Sequence, residues 1–394
     1  MPDRIVVAGA SLAGLRGAQA LRDEGYAGEV LVIGAEQHAP YRRPPLSKEL
    51  AAGGQGAEFT AFAQADVDAT FRLGRTIVRL DMPGRAVVLD DGARETFDAL
   101  LIATGATPRQ LPGTEGLDGV HVLRTLDDAL AIMEALAGSP RVVVVGAGFI
   151  GCEMASGIRA RGLDVTLVAP DAHLMPALGD RFSPVIDALH RDAGVELRLG
   201  RKVTGVEGAG RAERVRLDDG SAVDADLVVV GIGVVPATGW LENTGLDVAN
   251  GVLCDVALLA VGGGGSIAAA GDLARWPYPR YGDEPLRVEH WVSGIESAQH
   301  AARTLVHGVE AAGAYEPDLY FWTEQHGVHL QSVGQPGRGD EIVVLEGSLE
   351  ERSFAAVVGR GGRAIGAVAI DKVSAFTNNC RQPVLEEWSM ADVR

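Results

Sequence analysis

The 394-residue chain predicts an α/β protein with two parallel-sheet units and an antiparallel β-rich domain at its C-terminal end. Three observations predict this. Two apolar strand-like runs end in glycine-rich turns that open helical patterns. Each of these units is followed by a hairpin and another apolar run that ends in glycine. From Tyr320 onward the pattern changes to alternation, as in Glu341 to Leu345 and Phe354 to Val358, which is the signature of strands with one face covered.

Taken in order, Ile5 to Ala8 is the first strand, and Gly9-Ala-Ser11-Leu-Ala-Gly14 is the turn. A helical pattern follows through Leu15, Ala18, Leu21 and Arg22, and a second strand runs from Glu29 to Gly34. Strand, tight turn and helix in this order begin a dinucleotide-binding βαβ unit. Gly9 makes the turn, Gly14 lets helix and strand pack closely, and the amides at the helix start face a pyrophosphate. Ser11 stands where the motif carries its middle glycine, and its small Cβ weakens the pattern without breaking it.

The unit recurs with a strand from Arg141 to Val145, the full Gly146-Ala-Gly148-Phe-Ile150-Gly151 motif, a helix from Cys152 to Arg161 and a strand from Asp164 to Val168. One such motif is weak evidence, because glycine turns between strand and helix arise by chance. Two in the same context are strong evidence. The runs Ala99 to Gly105 and Ala225 to Gly233 are apolar strands ending in glycine, each preceded by a hairpin turn at Asp90-Asp91-Gly92 or Asp218-Asp219-Gly220. Ser266 to Asp272 is a further strand, ending at an acid.

Composition narrows the function classes. Hydrophobic residues make up 47% and charged residues 22%, which excludes a disordered chain. Glycine, at 52 residues, is in excess without a collagen period, so it belongs in turns and in loops that approach a ligand. The formal charge of −18 argues against nucleic acid or an anionic membrane as the main partner. Cys152, Cys254 and Cys380 are scattered, with neither zinc spacing nor a disulfide framework, and imply a reducing, cytoplasmic setting. The amino terminus reads as strand and turn rather than a signal peptide. No apolar run reaches the ~18 residues of a membrane helix.

The segment Tyr41-Arg-Arg-Pro-Pro-Leu-Ser-Lys48-Glu-Leu, together with Leu123-Arg124-Thr-Leu-Asp-Asp, Ala270-Gly271-Asp272, Val288-Glu289-His290-Trp291 and Tyr320-Phe-Trp322-Thr-Glu-Gln, resembles the FAD-dependent ferredoxin reductases that serve bacterial oxygenases. The resemblance spans essentially the whole chain. It implies two Rossmann-like dinucleotide-binding domains of glutathione-reductase type, one for FAD and one for NAD(P)H, plus a C-terminal α+β domain with an antiparallel sheet. It divides the chain into an FAD-binding domain of 1–110 and 236–312, an NAD(P)H-binding domain of 111–235 and an interface domain of 313–394. It implies FAD contacts at Gly9, Ser11, Ala13, Gly14, Glu36, Arg43, Lys48, Ile77, Ala103, Thr104, Gly105, Arg124, Gly271, Asp272, Glu289, His290 and Trp291. For the nicotinamide dinucleotide it implies Gly146, Gly148, Ile150, Gly151, Glu153, Ala169, Gly231 and Gly233.

The same resemblance gives Lys48 and Glu153 the catalytic roles: the lysine reaches the hydride-accepting side of the flavin and pairs with the glutamate. A unit charge pair at ~4 Å with an effective dielectric near 20 is worth at most about 4 kcal/mol. Taken alone, Lys48 reads as a solvated helix-start lysine, and Trp322 reads as core as readily as a flavin wall. The chain departs from the family at both ribose positions, with Ala35 beside Glu36 in the first unit and Ala169 in the second. The run Gly262 to Gly265 is a further departure. No cysteine lies between Leu31 and Leu73, where disulfide reductases of the superfamily carry a redox pair and peroxidase or oxidase relatives a single thiol.

Electrons therefore leave for an outside acceptor. The expected reaction takes NADH, with NADPH as the alternative donor, and passes electrons through FAD to a 2Fe-2S ferredoxin feeding a haem monooxygenase or Rieske dioxygenase. An NADH oxidase or monodehydroascorbate-reductase-like enzyme is an open alternative. So is a redox-sensing binding protein like the apoptosis-inducing flavoprotein, although the chain lacks the basic surface and long insertions of that class. Monomer and homodimer are equally compatible with the sequence.

Overall fold

The computed structural model describes residues 2–54, 56–62, 67–282 and 284–393. It has two compact units. One comprises Met1–Arg42, Ala61–Thr107 and Val235–Leu319; the other comprises Arg43–Thr60, Pro108–Val234 and Tyr320–Arg394.

The first unit is built on a parallel sheet in the order Ile267–Ala269, Ala99–Ile102, Arg4–Ala8, Glu29–Gly34, Thr70–Leu73. The chain starts at the centre, moves to one edge, and returns on the other side of its first strand. This reversal beside Arg4–Ala8 makes a crevice at the carboxyl ends of the strands, which is where open α/β sheets bind ligands. The central strands are buried beyond their first residues, Arg4 and Glu29, as expected of β-branched runs covered on both faces. Helix Leu12–Asp23 packs on the sheet through Gly17, where an added Cβ would lie 2.4 Å from Leu101 Cδ2. An antiparallel sheet of Ile77–Asp81, Ala86–Leu89 and Arg94–Thr96 forms the excursion, turned at Asp90-Asp91-Gly92 by a Gly92 N–H to Leu89 bond.

The second unit repeats the plan. Its parallel sheet runs Glu196–Leu199, Val165–Ala169, Val142–Val145, Leu227–Val230, Val120–Val122, again with the reversal beside the glycine-turn strand. Its excursion is Val203–Glu207, Arg214–Leu217 and Ala222–Asp224, with the Asp218-Asp219-Gly220 turn closed in the same way.

The helices start earlier than the sequence suggested: the second spans Phe149–Ala160 rather than beginning at Cys152. Gly148 is its N-cap, and Gly151 sits inside the first turn, because that glycine serves packing and not chain reversal. An added Cβ on Gly151 would lie 2.0 Å from Gly146 O.

This unit also holds the antiparallel sheet Phe321–Gln325, Val328–Gly334, Arg363–Ile370, Ser353–Arg360, Glu341–Ser348. The outer strand is longer than its alternation implied, since a bulge between Val344 and Glu346 shifts the pattern by one residue. Phe376, Cys380 and Val384, from the helical segment after the last strand, cover one face of the sheet.

The four glycines at 262–265 now have an account. Gly262, Gly264 and Gly265 have φ of 86°, 65° and 75°, and a Cβ on Gly263 would lie 2.9 Å from Ile267 Cβ. The run is a tight turn into the Ile267–Ala269 strand, and its composition is set by backbone conformation.

At Gly146, φ is +121° and an added Cβ would sit 2.1 Å from Gly231 O. Gly146→Ala should cost at least about 1–3 kcal/mol in backbone strain, seen as a lowered urea midpoint. Unchanged unfolding would show that the turn tolerates a side chain.

Candidate functional site

The glycine turn of the first unit is held by contacts that leave no room for side chains. Gly9 has φ +120°, and its missing Cβ would fall 2.2 Å from Ala103 O; that of Gly14 would fall 1.8 Å from Gly9 O. Helix Leu12–Asp23 can therefore begin directly over the end of the Arg4–Ala8 strand. Its first turn carries no acidic residue, so its amide end keeps a positive field for an anion. Ser11 is the N-cap with an ordinary extended backbone (φ −96°), which is why serine is tolerated there.

Other predicted FAD residues converge on this turn. A Cβ on Gly271 would meet Ala13 Cβ at 3.1 Å, placing the Gly271-Asp272 strand end against the start of the helix. The Gly271 amide donates to Ser297 Oγ at 2.9 Å, and the Asp272 carbonyl accepts from Arg287 at 2.8 Å. Thr104 Oγ1 donates to the Ala237 carbonyl at 2.9 Å, and the Gly105 carbonyl accepts from the Ala237 amide. Glu36 follows the second strand, where its carboxylate accepts the Tyr41 hydroxyl at 2.5 Å.

Trp291 opens the helix Trp291–His307 and stacks on Phe62 with ring centroids 6.1 Å apart. His290 is the N-cap of that helix, and burial pushes its imidazole down to about 4. Glu289 is exposed and paired with Arg287. The Ile77 side chain packs in the core, leaving only its backbone for a ligand.

The second unit repeats the cradle with Gly146, Gly151 and Gly231 in the places of Gly9, Gly14 and Ala103. Nothing lies within 4 Å of a Cβ placed on Gly148. Ile150 is exposed, Gly233 is exposed, and the first turn of Phe149–Ala160 carries no acid. Both glycine turns thus have the room and polarity that a dinucleotide pyrophosphate needs.

Ala169 requires a correction. It is the last residue of its strand and 0% exposed, and its carbonyl accepts the Arg201 amide at 2.9 Å. With no accessible surface, the Ala169 side chain offers a ribose no contact, whereas Asp171, in the loop beyond it, is half-buried.

The Lys48 segment is the most specifically built part of the second unit. Two short helices, Pro44–Ser47 and Glu49–Ala52, break at Lys48. They lie on one face of Phe149–Ala160 and its C-cap, through residues spaced four apart as a helix face requires. Glu153 accepts from Lys48 Nζ and Ser47 Oγ. Gly157 leaves space for Ala51, whose Cβ would otherwise be 2.7 Å away. Arg161 donates to the Ala51 and Leu50 carbonyls at 2.6 and 2.9 Å, satisfying the end of the second short helix.

The Lys48 and Glu153 side chains are only 12% and 5% exposed, so Lys48 is no solvated surface lysine. Arg43 donates to the Arg124 carbonyl, bringing together two more predicted residues. The sequence showed only Glu153 of the docking face, although Gly157 and Arg161 at the next two helical positions were readable from the same period.

Glu153 has further partners that sequence reasoning missed. Thr323 Oγ1 donates to it at 2.6 Å, and behind Thr323 lie Gln325, His190 and His326. In the strand Phe321–Gln325, residues 321, 323 and 325 are buried. Trp322 is on the opposite face, half-buried and stacked on Tyr320, so it is not plain core. Cys152 is fully buried, with its thiol pushed upward by burial, as befits a small core residue. Among the described residues no His/Cys/Asp/Glu cluster suits a metal.

The buried pair yields a test. Removing one partner leaves the other charge uncompensated, at a cost of about 3–5 kcal/mol. Lys48→Met and Glu153→Gln should therefore be strongly non-additive, with a coupling of about 1–3 kcal/mol in a double-mutant unfolding cycle. Simple additivity would mean that the pair does not hold the segment.

Comparison with known proteins bears on the chain as a whole. Residues 3–304 match the family described as pyridine nucleotide-disulphide oxidoreductase, and residues 320–382 match that described as reductase C-terminal. The chain is 37% identical over 345 residues to the ferredoxin–NAD(+) reductase component of the p-cumate 2,3-dioxygenase system of Pseudomonas putida, covering 86% of this chain and 83% of that one. Among solved structures, the ferredoxin reductase for the CYP199A2 system from Rhodopseudomonas palustris superposes with a TM-score of 0.91 at 32% identity, covering 99% and 97%. The reductase of the covalent putidaredoxin reductase–putidaredoxin complex gives 0.89 at 30%, covering 98% and 94%. With two glycine cradles on two like sheets and matches along its whole length, the chain belongs to the pyridine nucleotide-disulphide oxidoreductase family.

Proposed function

We propose that this protein is an FAD-dependent NAD(P)H:ferredoxin reductase that passes electrons from NADH singly to a 2Fe-2S ferredoxin serving a haem monooxygenase or Rieske dioxygenase. One observation carries the reading beyond the family. The chain has a dinucleotide cradle in each unit but no thiol pair to relay electrons, for its three cysteines are all buried and unpaired. Relatives named as ferredoxin reductases of oxygenase systems support an external iron–sulfur acceptor.

FAD, when bound, supplies the conversion of a two-electron hydride into single electrons. The protein's part is binding and electrostatics. The Gly9–Gly14 turn, with Ala13, Thr104, Gly105, Gly271 and Asp272, holds the FAD, and Glu36 reads its ribose beside Ala35. The Gly146–Gly151 turn, with Gly231 and Gly233, holds the nicotinamide dinucleotide, and Asp171 favours NADH by repelling a 2′-phosphate. Lys48, fixed by Glu153, would supply positive charge to the flavin when it is bound, and Arg43 and Arg124 would add to it.

The FAD-binding domain comprises 1–110 and 236–312, the NAD(P)H-binding domain 111–235 and the interface domain 313–394. No described helix is long and apolar enough to cross a membrane, and we place the protein in the cytoplasm as a monomer or homodimer.

Anaerobic titration tests the reading. NADH should bleach the flavin rapidly, with NADPH less effective, and a 2Fe-2S ferredoxin should then restore its colour. Bleaching without transfer to any ferredoxin, but with rapid turnover on oxygen, would make the protein an oxidase. Lys48→Ala should keep FAD and slow its reduction by roughly tenfold to a hundredfold, the scale of a lost charged hydrogen bond; a parental stopped-flow rate would show that Lys48 serves structure alone.

Transfer to ferredoxin should weaken steeply with salt, since docking an acidic partner onto a chain of charge −18 requires a local basic patch. Screening over about 8 Å at physiological ionic strength weakens such steering. A rate that rises with salt would show global repulsion in control.

A further inference from the structure

Behind the Lys48–Glu153 pair runs a buried ladder of polar side chains. Thr323 Oγ1 lies 2.6 Å from Glu153 Oε1, and Gln325 Nε2 is 3.2 Å from Thr323 Oγ1. His190 Nε2 is 2.9 Å from Gln325 Oε1, and His326 Nε2 is 3.1 Å from His190 Nδ1. Thr323 is 1% exposed, Gln325 4% and His190 0%. The His326 backbone amide is anchored on Ser156 Oγ at 2.7 Å, on the same helix as Glu153.

The direction of every bond follows from valence. The Glu153 carboxylate, salt-bridged to Lys48, only accepts, so Thr323 donates its one proton to it. Thr323 must then accept from the Gln325 amide NH2, which turns the Gln325 oxygen to His190. His190 therefore donates from Nε2 and, kept neutral by its burial, accepts at Nδ1, where His326 donates from Nε2. The ladder points one way, toward Glu153. The amide in its middle does not pass protons without tautomerising, so the ladder orients and does not conduct.

We propose that Thr323, Gln325, His190 and His326 are positioning residues, a one-way hydrogen-bond chain that holds Glu153 and, through it, Lys48 in the state that serves the flavin. The second half of this statement rests on the function proposed above. Burial lowers the pKa of both imidazoles, that of His326 to about 4, consistent with the neutral forms the geometry requires. The charged groups facing them are Asp187, on the helix of His190 and engaged by His173 and Arg191, and Arg159, on the helix of Glu153.

Nitrogen-15 NMR of histidine-labelled protein reads the ladder without any turnover. At pH 7 both His190 and His326 should be neutral Nε2–H tautomers. Thr323→Val removes the oxygen partner of the Gln325 amide and leaves it only the weak Met175 Sδ acceptor at 3.2 Å, so His190 should gain the Nδ1–H form, whereas Thr323→Ser should keep the parental spectrum. With FAD bound, Thr323→Val should slow flavin reduction by NADH about tenfold and shift its pH profile, and Thr323→Ser should restore both. A melting curve and flavin content for each variant separate this from misfolding.

A cationic or Nδ1–H His190 in the parent protein overturns the ladder. Equal reduction rates and pH profiles for the valine and serine variants overturn its service to Lys48. A parent protein that NADH does not reduce at all overturns the functional reading instead, and the tautomers then decide the ladder by themselves.

Discussion

The buried ion pair between Lys48 and Glu153 is the constraint around which the second unit is arranged. A lysine held at 12% exposure loses solvation that only a well-placed carboxylate offsets. The fold supplies that carboxylate on a rigid helix and fixes the lysine's own segment with two further positions of the same face. Gly157 admits Ala51, and Arg161 caps the carbonyls of Leu50 and Ala51. A short kinked segment with few residues of its own thereby gains the rigidity of Phe149–Ala160. That helix also begins at the second glycine turn, so one element carries both the open amides of that turn and the counter-ion of the lysine.

Close backbone approach is the second organising feature, and it is repeated. In each sheet a glycine at the end of the central strand sits against the carbonyl of the neighbouring strand, and a glycine in the first helical turn sits against the carbonyl of that first glycine. The distances from an added Cβ are 2.2 and 1.8 Å in one unit and 2.1 and 2.0 Å in the other. These contacts leave the helix N-terminus over the crevice where the strand order reverses. The position between them carries no such demand, which explains how Ser11 replaces glycine in one copy while Gly148 remains in the other.

Much of this was legible in the sequence because it is local. The two strand–turn–helix units, their hairpins and the C-terminal alternation are written in consecutive residues; the pairing of Lys48 with Glu153, far apart in the chain, came only through the family resemblance. What was not legible depends on packing at long range. The family resemblance set Ala169 at the position where relatives carry an acidic ribose contact, but the strand buries it completely. The 262–265 glycines looked like a departure until their left-handed backbone was seen. Thr323, Gln325, His190 and His326 sit in different elements, and no single-sequence pattern announces that they meet. Gly157 and Arg161 were within reach, since they follow Glu153 at the helical period, but nothing in the sequence said what that face covers.

The docking of the lysine segment on the helix Phe149–Ala160 can be measured directly by native-state amide hydrogen exchange, which resolves cooperative units by their opening free energies. The amides of Ala52 and Gly53, which bond back to Lys48 and Leu50, should exchange slowly in the parent protein. Their protection should fall by an order of magnitude or more in Glu153→Gln and in Arg161→Ala while the amides of Val142–Val145 stay protected. If those two amides exchange as fast as an unstructured loop in the parent protein, or if their protection ignores both substitutions, then the segment is not held by that helix face and the Lys48–Glu153 pair is not the anchor of the site.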